Sequence, residues 1–303
     1  MFTIFLAIAP VFALILMGYG LRRGGIPSTK FWNLNDRLVY WVLMPALFFA
    51  KISAADLSGG LGDYALLLYA GFFAAILCGW LFGRAYAAPQ GSSLMQGSAR
   101  FNTFIGLAIA EAVFGTAGLQ IAVLGSALLV PVVNVTVVTL MTRQLGGGGK
   151  SILKGLVKNP LILGILAGVL FNFAGLHEVP VLHESARILG DAALPIMLLC
   201  VGANLRLRGL SGSVSVIGLS IVGKHLVNPL AVLLAALVLN PAPLTLQIAL
   251  IFAALPTGVA SYTLAREMRG DAPLMAAIIT TQTLLSFFTL PLTLYLGSLI
   301  SAH

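Results

Sequence analysis

Charge is what this sequence has least of. Only 9% of its 303 residues are Asp, Glu, Lys or Arg, and just 9 of those are acidic. Soluble globular domains carry about 25% charged residues. With 59% hydrophobic residues and a mean hydropathy of +1.02, the chain lacks the polar surface to face water on all sides. Lipid must be the solvent for much of it. Cysteine is scarce too: Cys78 and Cys200 both sit inside apolar runs, which excludes a disulfide framework. The apolar runs hold no Ser/His/Asp set, no paired carboxylates and no metalloprotease motif. Neither an enzyme nor a cofactor or metal site is expected.

Long apolar runs are what the sequence has in abundance. They fall near 2–21, 38–53, 64–82, 101–114, 119–141, 160–176, 188–205, 213–239, 246–265 and 274–300. A helix needs ~20 apolar residues to span a bilayer, so the chain has room for about ten spans with short loops. Helices are the natural assignment, because lipid cannot satisfy free backbone groups and the alternation of a barrel is missing. The predicted class is an all-α polytopic membrane protein. The first run has Arg22 and Arg23 after it and no basic residue before it, the reverse of a cleavable leader.

The net charge of +8 is unevenly distributed. Assigned to alternating loops, one side receives Arg22, Arg23, Lys30, Arg37, Arg84, Arg100, Arg143, Lys150, Lys154, Lys158, Arg206, Arg208, Arg266 and Arg269. The other side receives Lys51 and Arg187 with Asp56, Asp63, Glu178, Glu184 and Asp191. The positive-inside rule places the first set in the cytoplasm and both termini outside. The expected location is the cytoplasmic (inner) membrane, and the basic excess is topological, with no nucleic-acid partner.

The most polar connection is glycine-rich and divides the chain. Residues 1–145 form a first repeat, 146–158 a cytoplasmic linker and 159–303 a second repeat. An odd number of spans per half, about five, makes the halves inverted relatives of each other. Arg37…Pro45 and Arg187…Pro195 echo one another in the second span of each half. Both features point to an inverted-repeat transporter.

Some motifs mislead. Gly149-Lys150-Ser151 resembles a phosphate loop, but Gln144 stands where its first glycine belongs, and no strand precedes it. Asn134-Val-Thr136 lies within an apolar run, out of reach of glycosylation. Gly79/Gly83 and Gly164/Gly168 match the small-residue spacing of packed membrane helices. His177 and His183, beside Glu178 and Glu184, read as a solvated loop rather than a metal site.

Polar residues within spans are costly and therefore informative. Lys224, followed by His225 and Asn228, interrupts the eighth run. It is a candidate proton carrier or substrate counter-ion, against the alternative of a lysine that merely tethers carbonyls. Arg100-Phe-Asn-Thr-Phe-Ile-Gly106 through Glu111 interrupts the fourth run, and Leu255-Pro-Thr-Gly258 through Ser261 the ninth. Pro256 removes a backbone donor, and Gly106 and Gly258 tolerate unwinding. Inversion would bring these segments together at the centre. Breaks there would present helix N-termini, each with roughly half a positive charge, to a carboxylate. Asn102, Thr103, Thr257 and Ser261 would be side-chain donors. A mild kink packed by neighbours is the alternative for each segment alone.

These residues resemble the auxin efflux carrier family, which includes plant PIN auxin exporters and prokaryotic malate and malonate carriers. The similar stretches are Asn102–Leu107 with Glu111–Gly115, Lys158–Pro160, Gly190–Pro195, Lys224–Pro229 and Ala254–Gly258, in order across both halves. The resemblance implies ten helices in two inverted five-helix repeats, with fourth and ninth helices crossed and discontinuous. It also implies a scaffold part, a mobile transport part, a homodimer and organic-anion substrates bound near Asn102. Plant members carry a proline in each crossing helix where this chain has Ala108 and Ser261, and their long cytoplasmic loop is missing. The expected function is secondary transport of a small carboxylate by elevator-type movement, driven by protons (through Lys224 and Glu111) or by the membrane potential. The competing reading is a cation/proton antiporter of similar fold. Such exchangers rely on acidic residues at the crossover, where only Glu111 comes near.

Overall fold

The computed structural model describes residues 2–55, 60–145, 159–206 and 213–300. The glycine-rich linker 146–158 lies outside the described residues. Among the described residues every regular element is helical. Helix α1 is Phe2–Arg23. Helix α2 runs from Thr29–Leu38 through a π-helical turn at Val39–Leu43 into Met44–Ser53. Helices α3 (Leu61–Gly83) and α4 (Ala88–Ala99) follow. One helical stretch, Thr103–Leu145, bends at Gly115, whose φ of 64° is left-handed. We divide it into α5 (103–114) and α6 (116–145). Then come α7 (Pro160–Phe173) and α8 (Leu182–Asn204). Helix α9 joins Val214–Val222, a π-helical turn at Gly223–Val227 and Asn228–Leu239. Helices α10 (Pro243–Ala254), α11 (Ala260–Glu267) and α12 (Ala272–Ile300) complete the chain.

Among the described residues, six helical segments are long and apolar enough to cross a membrane, and Pro160–Phe173 and Pro243–Ala254 are shorter apolar ones. Each π-helical turn immediately precedes a proline in the next turn, Pro45 or Pro229. Proline has no N–H to donate four residues back, and a locally widened turn accommodates that loss.

The helices pack in two groups. Helices α1, α2, α7 and α8 form one set of packed neighbours, and α3, α4, α9, α10 and α12 another; the stretch Thr103–Leu145 touches both, and α1 also meets α12. Small residues permit the close approaches. A Cβ on Gly79 would lie 2.7 Å from Ser98 Oγ, and one on Gly83 2.9 Å from the Gly91 carbonyl, so α4 presses onto α3. Gly164 and Gly168 bring α7 equally close to Pro45 and Ile52 of α2.

One sequence expectation needs correction. Residues 83–100, between two apolar runs, read as a loop, and Arg100 as one of its cytoplasmic charges. Instead Ala88–Ala99 is a helix whose residues 91–99 are all buried. Its serines are accommodated by bonding to nearby carbonyls: Ser92 Oγ donates to Pro89 O at 2.8 Å and Ser98 Oγ to Leu94 O at 2.9 Å. The polar face meets protein rather than lipid, so hydropathy misses it. Arg100 therefore sits between two helices. The charge asymmetry survives without it.

Candidate crossover site

Two gaps in the helices define the site. Between α4 and α5 the chain extends over residues 100–102, with Arg100 at φ −69°, ψ 155°. Between α10 and α11 it extends from Leu255, at φ −61°, ψ 144°. The gaps are in contact: the Asn102 N–H donates to the Pro256 carbonyl at 2.8 Å. Gly258 makes this approach possible, because a Cβ there would lie 2.6 Å from the Phe101 carbonyl oxygen. Gly106, expected near a break, is instead inside α5, where it accommodates the Leu255 side chain at 2.7 Å from its missing Cβ.

The helix ends differ from the expectation of bare amides. Asn102 is the N-cap of α5, and its Oδ1 accepts from the N–H groups of Phe104 (3.1 Å) and Ile105 (3.3 Å). At α11 the Ser261 and Tyr262 amides donate to the carbonyls of Gly258 and Val259. These four amides are already occupied. Further polar capacity lies in side chains.

Among the described residues, buried side-chain atoms without a hydrogen-bond partner include Asn102 Nδ2, Arg100 Nη1, both amide atoms of Gln96, and Ser261 Oγ. Gln96 and Arg100 end or follow α4, Asn102 begins α5 and Ser261 is in α11, so all flank the two gaps. Unpartnered buried polar atoms are rare and costly. Sequence reasoning missed Gln96 and Arg100; the four-residue spacing that stacks them on one helical face was the available signal.

The second gap is held firmly. Thr257 donates its N–H to Gln282 Oε1 (3.0 Å), and its Oγ1 lies 2.8 Å from the same oxygen and 2.9 Å from the Gly97 carbonyl. Gln282 Nε2 donates to Gly97 O at 2.8 Å and reaches Ser220 Oγ at 3.3 Å. Gln282 was not foreseen; a glutamine inside an apolar run was its only signal.

Thr103 is half-buried at the start of α5 and Pro256 is buried in the second gap. Lys224 is fully buried. Its Nζ donates to the Phe252 carbonyl at 3.4 Å and lies 6.0 Å from the centre of the Phe101 ring, so it touches the flanks of both gaps. Lys224, Asn228, Phe101 and Phe252 border a cavity of about 10 Å³, space for at most one water. Glu111 is exposed, more than two turns beyond Asn102 on α5. His177 and His183 are not a freely solvated pair: His177 Nδ1 meets Ser53 O and His183 Nε2 meets Ser53 Oγ, each at 3.0 Å, tying down the end of α2.

An apolar, all-helical chain with two contacting helix gaps fits a membrane carrier, and comparison with known families agrees. The chain belongs to the family described as "Membrane transport protein", which it matches over residues 3–150 and 148–294. It is 29% identical to a "Putative malonate transporter" of Rhizobium meliloti over 95% of this chain and 94% of that protein. It is also 28% identical to an "Uncharacterized transporter" of Methanothermobacter thermautotrophicus, covering 93% of this chain and 94% of that one. It is a multi-pass transporter and not an enzyme.

Proposed function

We propose that the protein is a secondary carrier for a small organic anion, a short-chain carboxylate of the malonate kind, bound where the two gaps meet. The observation that carries this is the backbone bond from Asn102 to Pro256, with unpartnered donors of Asn102, Arg100, Gln96 and Ser261 beside it. Thr103 and Gly106 lie on the first gap's side of this region, and Pro256, Thr257 and Gly258 hold the second gap against it. A carboxylate satisfies amide, hydroxyl and guanidinium donors at once, and charge-assisted bonds of this type are the strong ones. The malonate name of the Rhizobium meliloti relative supports the substrate class.

Grouping the elements supports ten passes in two inverted repeats. Helices α4–α5 serve as the interrupted fourth pass and α10–α11 as the interrupted ninth, with both termini outside the cell membrane. The two packing groups supply a scaffold (α1, α2, α7, α8) and a moving body for an elevator-type cycle, with a homodimer as the working unit. Lys224 and Asn228 are the coupling elements in this reading. A buried ammonium contacting both gap flanks favours an anion nearby, and its discharge would release that preference; Glu111 has an accessory role at most.

The test is binding of labelled malonate and other short dicarboxylates to purified protein, followed by counterflow in liposomes. Asn102→Ala should weaken binding about tenfold or more, the loss expected when a hydrogen bond to a charged group is removed. An unchanged affinity in a folded variant rules out the crossover as the site.

A further inference from the structure

We propose that a cavity at the basic ends of α1 and α8 binds a phosphate-bearing anion, the headgroup of an acidic phospholipid. The cavity, of about 420 Å³, is lined by Tyr19, Arg22, Arg23, Thr29, Asn204 and Arg206 among others. It is separate from the crossover residues and does not depend on the transport reading.

Three arginines line it, and among the described residues none of them is in an ion pair. Arg22 donates to Asn204 Oδ1 at 3.2 Å, Arg23 lies over the Tyr19 ring at 5.6 Å, and Arg206 lies over the Tyr262 ring at 4.5 Å. Among the described residues the one ion pair is Arg187–Glu184, elsewhere. Asp36 stands close by, within electrostatic reach of Arg22, and its Oδ2 accepts from Asn204 Nδ2 at 2.8 Å. Burial pushes the Asp36 carboxyl above its ordinary pKa, against the pull of Asn204, Cys200 and Arg22. A guanidinium presents five donors in a fork that matches a phosphate. One bond from Arg22 to a neutral amide leaves most of that capacity open.

The surroundings favour lipid over a soluble source. Thr29, on the cavity wall, begins a helical segment whose Phe31, Leu34 and Leu38 are 42%, 53% and 47% exposed, while Trp32 is buried. Three- and four-residue spacing puts those exposed side chains on one stripe, the pattern of a helix lying along the acyl boundary. An acyl chain on that stripe would bring its headgroup to the arginines. Basic pockets between membrane helices are known headgroup sites. The cavity also sits at the seam of the two packing groups: Arg206 follows the end of α8, but it stacks on Tyr262 of α11 and its N–H donates to Thr280 Oγ1 of α12 at 3.1 Å. A bound phosphate would tether one group to the other.

The test compares phosphatidylglycerol, phosphatidylcholine and inorganic phosphate on purified protein, by native mass spectrometry and thermal unfolding. Phosphatidylglycerol should be retained and should raise the melting temperature above that with phosphatidylcholine. Arg22→Gln with Arg206→Gln should abolish the difference. Arg23→Gln, exposed and mild, should weaken retention about fivefold, the worth of one basic residue near a membrane surface. Arg84→Gln, which removes a guanidinium stacked on Trp80, should change nothing. Equal retention of both lipids, or full selectivity in Arg23→Gln or in the double variant, overturns the site. An equal shift from inorganic phosphate alone overturns the lipid source.

Discussion

The two gaps carry similar backbone interruptions but opposite hydrogen-bond economies. Around the second, Thr257, Gln282, Gly97 and Ser220 bond to one another, and of the buried side-chain atoms there, among the described residues, the Ser261 hydroxyl is idle. Around the first, Asn102 spends its oxygen on capping α5 and leaves its amide nitrogen free, beside unpartnered atoms of Gln96 and Arg100. On the proposed reading, one gap serves as a strut and the other as a receptor. The lesson is that two gaps of similar backbone need not divide their labour evenly: loss of a residue in the first should cost affinity, loss in the second should cost stability.

The most severe way to break the comparison is to separate the gaps. Gly258→Val places branched carbons against the Phe101 carbonyl, so counterflow should disappear and stability should fall by about 1–3 kcal/mol. Retained counterflow would show that the gaps need not touch. Next in size, Arg100→Gln should reduce carboxylate affinity more than tenfold, the scale of a lost charged hydrogen bond. Its melting temperature should stay near that of the parent; equal losses of affinity and stability would make Arg100 a structural residue. Thr257→Val should do the reverse, lowering stability by about 0.6–1.7 kcal/mol, the range for hydrogen bonds between membrane helices. Affinity measured by titration should change little, and a larger affinity loss than stability loss would cancel the distinction. The smallest effect is expected from Ser261→Ala, which removes that idle hydroxyl of the second gap. A few-fold weaker binding at unchanged melting temperature would assign it to the ligand, and no change at all would leave the second gap wholly structural.

How far the sequence revealed this depends on the solvent each helix meets. Helices facing lipid, such as α3 and α12, are legible because hydropathy measures that contact. Helix α4 is not, since Ser92, Ser93, Gln96 and Ser98 are buried by other helices and bond to carbonyls or remain within the protein. The error carried Arg100 into a loop and hid the strongest charge near the first gap. Pro256 and Gly258 did mark the second gap, because their backbone effects are local. The contact between the gaps, spanning residues 102 and 256, has no local signature. The capping by Asn102 could be read from its residue type, yet not which of its atoms would be left over.

The link between Asn102 and Pro256 uses main-chain atoms alone, an amide on one side and a carbonyl on the other. Nearly any side chain at position 102 would preserve it. Relatives could therefore exchange the groups at 96, 100 and 102 to suit different cargo while inheriting the same central joint, so diversification of what is carried need not disturb the machinery that carries it.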